Sequence, residues 1–277
     1  SVNVNTQRTT GPVLWRILAD LPGMSYFART RGPSFVVFWA HRVSGLILVL
    51  YLLFHFLTLS TLADPAVFTT KMTSFNTPFF TFLEFLLAVP LLFHALNGLR
   101  LILYESFSLR DNEHLLHWLS SLGVIYLCIL ALLMGLGTQT ISPLLFVLVV
   151  MTSGLLFSAY LLQHIRPSPL PRLWKGQRLT AMFLLLALPG HMLFMHLNHD
   201  LAHEAANILA RLQLPLVQIF YMLTVGCVLY HAVYGLCTIF QDLVANRALR
   251  TGLIAALLLG TAYLVFLGLQ ITFFLGA

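Results

Sequence analysis

With 277 residues, 59% of them hydrophobic and only 9% charged, the chain has more apolar surface than a soluble fold of this length can hide. Polar low-complexity chains, collagen and disulfide scaffolds are excluded, and the composition is that of an integral membrane protein with many spans. The net charge of +6 reads as a topology signal in such a chain, so no nucleic-acid partner is expected.

Residues 1–33 form an N-terminal segment with no short apolar core ending in a small-residue cleavage site, so no cleaved signal peptide is expected. Span one, 34–61, opens on His41-Arg42-Val43-Ser44-Gly45 and carries His55 in its interior. Span two, 79–106, holds Glu84 and Pro90, then His94-Ala95-Leu96-Asn97-Gly98, Arg100 and Glu105. Span three is 115–137, and span four, 142–164, has no histidine in its interior and almost no polar residue. Span five, 177–198, opens on Gln177-Arg178-Leu179-Thr180-Ala181 and reaches Pro189-Gly190-His191. Span six, 214–241, contains His231-Ala232-Val233-Tyr234-Gly235 and leads to Asp242; span seven is 250–275. None of these stretches alternates with period two, and only helices satisfy their own backbone in lipid, so an all-α membrane fold of about seven helices is expected.

Topology follows from the loops. With the N-terminus inside, the cytoplasmic set holds Arg8, Arg16, Arg29, Arg31, Arg42, Arg100, Arg110, Arg166, Arg172, Lys175, Arg178, Arg247 and Arg250. The outer set holds Lys71 and Arg211 alone. The asymmetry places the N-terminus in the cytoplasm and the C-terminus outside. Trp15, Trp39, Trp118 and Trp174 then fall at the cytoplasmic boundary, as interfacial aromatics do. A multi-pass protein of the inner or cytoplasmic membrane is expected.

The chain repeats itself. Arg42 to His55 and Arg178 to His191 are both steps of thirteen residues, and the two spans match at an offset of 136. His94, Gly98 and Glu105 match His231, Gly235 and Asp242 at an offset of 137. Two three-helix units in tandem, 34–137 and 166–277, are expected, joined by a linking helix within 138–165 that returns the chain to the cytoplasmic side. Coincidental matches within an ordinary seven-helix bundle are the alternative.

An ionisable side chain at the bilayer centre costs about 3 kcal/mol or more, so a histidine there needs a partner. His55, His94, His191 and His231 lie within spans at matched depths, two per unit. Two symmetry-related imidazoles facing each other make a bis-histidine axial site for haem, where one lone histidine would read as a hydrogen-bonded core residue. Gly98 and Gly235 follow His94 and His231 by four residues on the same helix face, leaving room for a flat macrocycle or, more simply, for close helix packing. Depth separates His94 and His231, nearer the cytoplasm, from His55 and His191, about 20 Å from the arginine layer. Two stacked b haems are expected. His196, His199 and His203 cluster at the outer end of span five and read as solvated interface residues, with metal binding or proton carriage as the alternative. Glu84 is open between a protonated structural acid and part of a proton path. Cys128, Cys227 and Cys237 sit in apolar runs with no CxxC spacing, so neither a zinc site nor a disulfide framework is expected.

His41-Arg42-Val43-Ser44-Gly45 resembles the HR-x-[ST]-G motif of the cytochrome b membrane anchor of succinate dehydrogenase. His94-x-x-x-Gly98-x-Arg100 with Glu105 resembles the haem-ligand motif of that subunit, and His231-x-x-x-Gly235 with Asp242 is similar to the ligand helix of the second, smaller anchor. The chain thus looks like both anchors fused. The resemblance implies a succinate:quinone or quinol:fumarate oxidoreductase of the complex II type. Its flavoprotein and iron–sulfur partners would dock on the cytoplasmic face, and electrons would pass between the iron–sulfur subunit, haem b and membrane quinone. The chain would serve as the quinone-reactive subunit, with no catalysis of its own. A quinone headgroup near the cytoplasmic interface would find donors in His41, Arg42 and Ser44, with Asp242, eleven residues beyond His231, to orient a donor or relay a proton; the alternative is that Arg42 and Arg100 hold haem propionates while Asp242 pairs with a loop arginine. Two departures stand out: Phe38 where the family often has a serine, and Leu243 where a tyrosine is common. The extra pair His55 and His191 resembles the dihaem members, which commonly use a low-potential quinone such as menaquinone.

Two other functions fit parts of the sequence: a dihaem cytochrome b of a formate, nitrate or heterodisulfide dehydrogenase, and a parallel-repeat transporter. The second needs helices broken at matched places; Pro90 and Pro189-Gly190 are the candidates and do not match between units.

Overall fold

The computed structural model describes residues 33–109, 112–136, 141–197 and 203–274. Arg8, Trp15, Arg16, Arg29, Arg31, Arg110 and His199 lie outside the described residues, as does nearly all of the 1–33 segment. The described helices are α1 (Pro33–Leu59), α2 (Pro65–Phe75), α3 (Pro78–Phe107), α4 (Asn112–Leu136), α5 (Pro143–Ile165), α6 (Arg172–Leu197), α7 (Ala205–Leu212), α8 (Pro215–Leu243) and α9 (Arg247–Leu269), which ends in a π-helical turn, Gln270–Phe274. Seven of them, all but α2 and α7, are long and apolar enough to cross a membrane. The chain is a multi-pass membrane protein. Phe79, Leu156, Leu259 and Phe266 are among many large apolar side chains left exposed, a surface that suits lipid and not water.

The boundaries have local causes. Thr77 accepts from the Phe80 N–H ahead of Pro78, and Ser142 accepts from the Leu145 N–H ahead of Pro143. A capping oxygen followed by proline at the first helical position satisfies an orphan donor and presets φ. Asn246 caps α9 through the Leu249 N–H. α3 ends where Ser108 takes a left-handed conformation (φ 55°). Pro90 and Pro189 lie inside α3 and α6, which run on through them without a break. The matched half-helices of a transporter are therefore not present among the described residues.

α6 is the central span, packed against α3, α4, α5 and α8, while α1 pairs with α3 and α8 with α9. Val147, Phe183, Leu184, Ala187, Val217 and Phe220 join α5, α6 and α8 in one buried cluster. Ile102, Leu161, Ile165 and Met182 tie α3 to α5 and α6. α5, expected as a linking helix, is thus also a packing partner of the central span. The contact is close: a Cβ on Gly154 would lie 2.9 Å from Phe183 Cδ2. Gly154→Leu is expected to destabilise the bundle by about 1–3 kcal/mol through overpacking. Gly260→Leu, where nothing lies within 4 Å, should be silent. Thermal melting of the detergent-purified protein would measure both.

α2 and α7 are short helices at the end of the bundle away from Arg42, where the sequence was expected to form loops. Leu62, Phe68, Ala205, Ile208, Leu212 and Ile271 form a buried cluster there, which closes that end of the bundle.

Candidate functional site

α1, α3, α6 and α8 surround a cavity of about 680 Å³, within the range of cofactor and ligand pockets. One end is cationic: Arg42, Arg100 and Arg178 line it. Further in, His41, His94, Gln177 and His231 face it, and beyond them the walls are apolar, with Leu52, Leu91, Leu188 and Val228. Such a space suits a flat apolar ligand with an anionic edge.

His94 and His231, from α3 and α8, stand with ring centroids 6.0 Å apart and planes at 84°. With metal–imidazole bonds of about 2 Å, two rings gripping one metal from opposite sides are spaced about 6 Å between centroids. His94 Nδ1 lies 3.1 Å from the His41 carbonyl oxygen and 3.4 Å from Ser44 Oγ. A carbonyl only accepts, so Nδ1 carries the proton and Nε2 keeps its lone pair, which is the ligand tautomer. His231 is less tied: its Nε2 is 3.5 Å from the Gln177 amide nitrogen, and its Nδ1 is buried with no hydrogen-bond partner among the described residues.

His55 and His191, from α1 and α6, form a second pair with centroids 6.4 Å apart and planes at 75°. Tyr51 stacks on His55 at 5.6 Å, and Tyr221 meets His191 edge-on at 5.9 Å. His191 Nδ1 is also buried with no hydrogen-bond partner among the described residues. The donor sets of both pairs, with their unpartnered buried nitrogens, fit bis-histidine haem.

The glycines divide differently from the sequence expectation. Gly98 sits at ordinary distance from His41 (Cβ to Cε1 3.8 Å), and Gly235 has nothing within 4 Å among the described residues. Gly45 is the tight position, since a Cβ there would fall 2.9 Å from His94 Cε1. Gly45→Ala is expected to push the His94 ring off its present line. The check is haem retained after purification, set beside Gly235→Ala, which should retain the parent amount.

His41 was expected as a headgroup donor at the membrane surface. Its ring stacks flat on His94, 4.1 Å between centroids and 4° between planes, while its Nδ1 is buried with no hydrogen-bond partner among the described residues. Ser44 is buried, and its hydroxyl donates to the His41 carbonyl. Arg42 pairs with Asp242 across α1 and α8, and its guanidinium lies 4.2 Å above the Phe38 ring. Asp242 thus meets a span arginine, where the sequence left open a loop arginine. Arg100 donates to Asn97 Oδ1 on its own helix. Arg178 pairs with Glu105 (2.6 Å) and lies 4.9 Å from the Trp174 ring. Gln177, Trp174 and the Arg178–Glu105 pair are cavity residues the sequence expectation omitted. The offset of 136 was the available signal, because it maps Phe38, His41 and Arg42 onto Trp174, Gln177 and Arg178.

Elsewhere, Glu84 lies within electrostatic reach of Tyr51 and His203. His164 packs on Phe107 at 4.5 Å and His114 bonds the Trp118 indole, which fits interfacial positions. No cluster of three or more histidine, cysteine or acidic side chains suited to a metal ion is found among the described residues.

Residues 29–134 match the family model for the succinate dehydrogenase/fumarate reductase transmembrane subunit. The chain is similar to the membrane subunit SdhC of succinate dehydrogenase 2 from Mycobacterium tuberculosis, with 30% identity over 103 residues, 36% of this chain and 74% of that protein. No solved structure matches. The family match takes in α1, α3 and most of α4, and leaves α6 and α8 outside it.

Proposed function

The chain belongs to the succinate dehydrogenase/fumarate reductase transmembrane subunit family, and from that premise we propose that it passes electrons between a docked iron–sulfur subunit and membrane quinone through two b-type haems. The observation that carries the reading is the pair of imidazole couples, His94 with His231 and His55 with His191, each spaced for one metal.

His94 and His231 would hold one haem, with Arg42, Arg100 and Arg178 at the cavity end where its propionates belong. His55 and His191 would hold the other. Bound there, the haems supply one-electron carriers. The chain's own residues do the rest. The His41 carbonyl holds His94 in the ligand tautomer, and Ser44 acts through that carbonyl instead of reaching a substrate. The apolar walls exclude water.

The quinone headgroup would bind near Arg42 and Asp242, at the end that also carries Trp39 and that we assign to the cytoplasm. Its reduction to quinol takes two electrons from the iron–sulfur partner and two protons. Arg42 would donate to a carbonyl, Asp242 pairs with Arg42 without lining the cavity, and Phe38 gives the ring a flat neighbour. The direction of turnover sets whether these protons are taken up or released. Two haem layers fit a low-potential quinone such as menaquinone. A flavoprotein and an iron–sulfur protein are the partners, docked at the Arg42 end.

The test is affinity purification of the tagged chain from its native membrane. A flavin-containing and an iron–sulfur subunit should co-purify, and a reduced-minus-oxidised spectrum should give two b-type haems per chain. One haem would remove the His55–His191 site, and none would remove the reading. A reporter after Ala277 should read the outside and one within 166–171 the cytoplasm. Both ends on one side would overturn the two-unit topology.

A further inference from the structure

Among the described residues, none of α4 lines the central cavity. Leu122, Val124, Ile125 and Ile129 on it are exposed, as a span turned to lipid requires. It nevertheless reaches into the bundle. A Cβ on Gly123 would fall 3.1 Å from Leu96 Cδ1, so the bare glycine lets α4 close on α3 two residues beyond His94. Tyr126, three residues on and on the same face, is half-buried. Its hydroxyl donates to the Pro189 carbonyl oxygen of α6 at 2.6 Å.

That carbonyl lies two residues before His191. Proline has no N–H, so Pro189 leaves the Leu185 carbonyl without its intrahelical donor and loosens the ladder at that point. The turn that carries His191 therefore takes its direction from its neighbours as much as from its own helix. Gly190 faces α5, where a Cβ would fall 3.3 Å from Val150 Cγ2 and 3.6 Å from Phe146 Cζ. The His191 ring faces His55 at 6.4 Å and Tyr221 at 5.9 Å. Tyr126 ties a third side to α4. The first unit is built differently. The offset of 136 sets Leu53 and Phe54 opposite Pro189 and Gly190, and both are exposed. His55 thus stands on a helix with no proline in its interior, and His191 on one that needs an outside tie.

We propose that Tyr126 is a positioning residue for His191. Its hydroxyl fixes the Pro189 carbonyl, and through it the reach and plane of the imidazole that faces His55. The ligands of a metal are oriented by partners beyond them, and losing such a partner costs tenfold to a hundredfold in affinity. Hydrogen bonds in that outer layer also set the reduction potential of a haem. An imidazole donor stabilises the more highly charged ferric iron, so a ligand held in place keeps the potential low. Tyr126 thereby poises the His55–His191 haem against the other one without touching it. The proposal rests on the reading of His55 and His191 as a haem pair.

The test is electron paramagnetic resonance with a redox titration on the whole complex in native-lipid particles. The low-field signal of a bis-imidazole haem follows the angle between the ligand planes, 75° here. His55→Leu, which keeps the other haem, identifies the two signals. Tyr126→Phe removes the hydroxyl alone. It should keep both haems and move the low-field signal of the His55–His191 haem. At a fixed potential it should raise that haem's reduced-to-oxidised ratio about tenfold, which is about 59 mV for one electron. The His94–His231 signal and potential should stay at parent values. Pro189→Ala restores the missing helical donor, so Tyr126→Phe on that background should move the potential by less than half as much. A haem unmoved by Tyr126→Phe leaves the hydroxyl as a satisfied half-buried donor and overturns the proposal. So does a shift of both haems together, which marks a loosened bundle, or an undiminished shift with Pro189→Ala, which puts the cause elsewhere than the proline turn. A parent complex holding the His94–His231 haem alone overturns the two-haem reading, and the positioning role with it.

Discussion

His94→Leu and His231→Leu are each expected to strip one b-type haem from the purified chain, leaving the other spectrum in place. Loss of even an outer-shell partner of a metal ligand typically costs tenfold to a hundredfold in affinity, and removing the ligand itself costs more, so haem at that site should fall by more than about tenfold. The two variants should look alike, because His94 and His231 would hold the haem together and either loss leaves it with one imidazole. Thermal stability should fall with the haem, since a cofactor that binds only the folded state stabilises it by mass action. The cavity would then be an apolar space of about 680 Å³ with three arginines at its edge. His55→Leu and His191→Leu should remove only the other haem. If His94→Leu keeps both haems, His41, stacked on it at 4.1 Å, becomes the next ligand to replace.

Much of the fold was legible because hydropathy and caps are local. Thr77-Pro78 and Ser142-Pro143 announce their helices in two residues, and the spans expected at 79–106 and 142–164 start and end within about one residue of α3 and α5. The start of α6 was not legible by the same signal. Arg172, Trp174, Lys175, Gln177 and Arg178 are polar or interfacial, so an apolar window opens at 177 while the helix begins at Arg172. Those five residues are where the second ion pair and the buried amide sit. α2 was missed although Asp64-Pro65 is a cap and a first-turn proline, with Asp64 accepting from the Ala66 and Val67 N–H groups.

The four span histidines were singled out by matched depth, which is a property of one helix at a time. The stacking of His41 on His94 and the exchange of ion pairs depend on how α1 turns against α3 and α8. No single segment encodes that rotation; it is set by contacts such as Gly45 against the His94 ring. The match of Gly98 and Gly235 was real as a pattern, but the close approach falls on Gly45 instead, one turn beyond the arginine that pairs with Asp242.

Asp242→Asn is expected to cut quinone-linked turnover by about a hundredfold or more while haem content and dye-linked dehydrogenase activity stay at parent levels. The size follows from the role: a positioned acid or base in a proton-transfer step contributes about 10²–10⁴-fold. The asparagine keeps the shape and can still accept a hydrogen bond from Arg42, so the pair should survive as a contact while the carboxylate proposed to take and give a proton is gone. Asp242 is about half exposed and does not line the cavity, whereas Arg42 does. The substitution therefore reaches the headgroup side and spares the imidazoles. Asp242→Glu should restore part of the activity, because it returns a titratable group to Arg42. Ser44→Ala is the internal contrast. Its hydroxyl is committed to the His41 carbonyl and lies 3.4 Å from His94 Nδ1, so its removal should shift the haem potential before it slows quinone turnover. If Asp242→Asn keeps full quinone activity, protons reach the quinone elsewhere. Glu84, which lies within electrostatic reach of Tyr51 beside His55, is then the acid to replace, and the active headgroup site moves to the opposite end of the bundle.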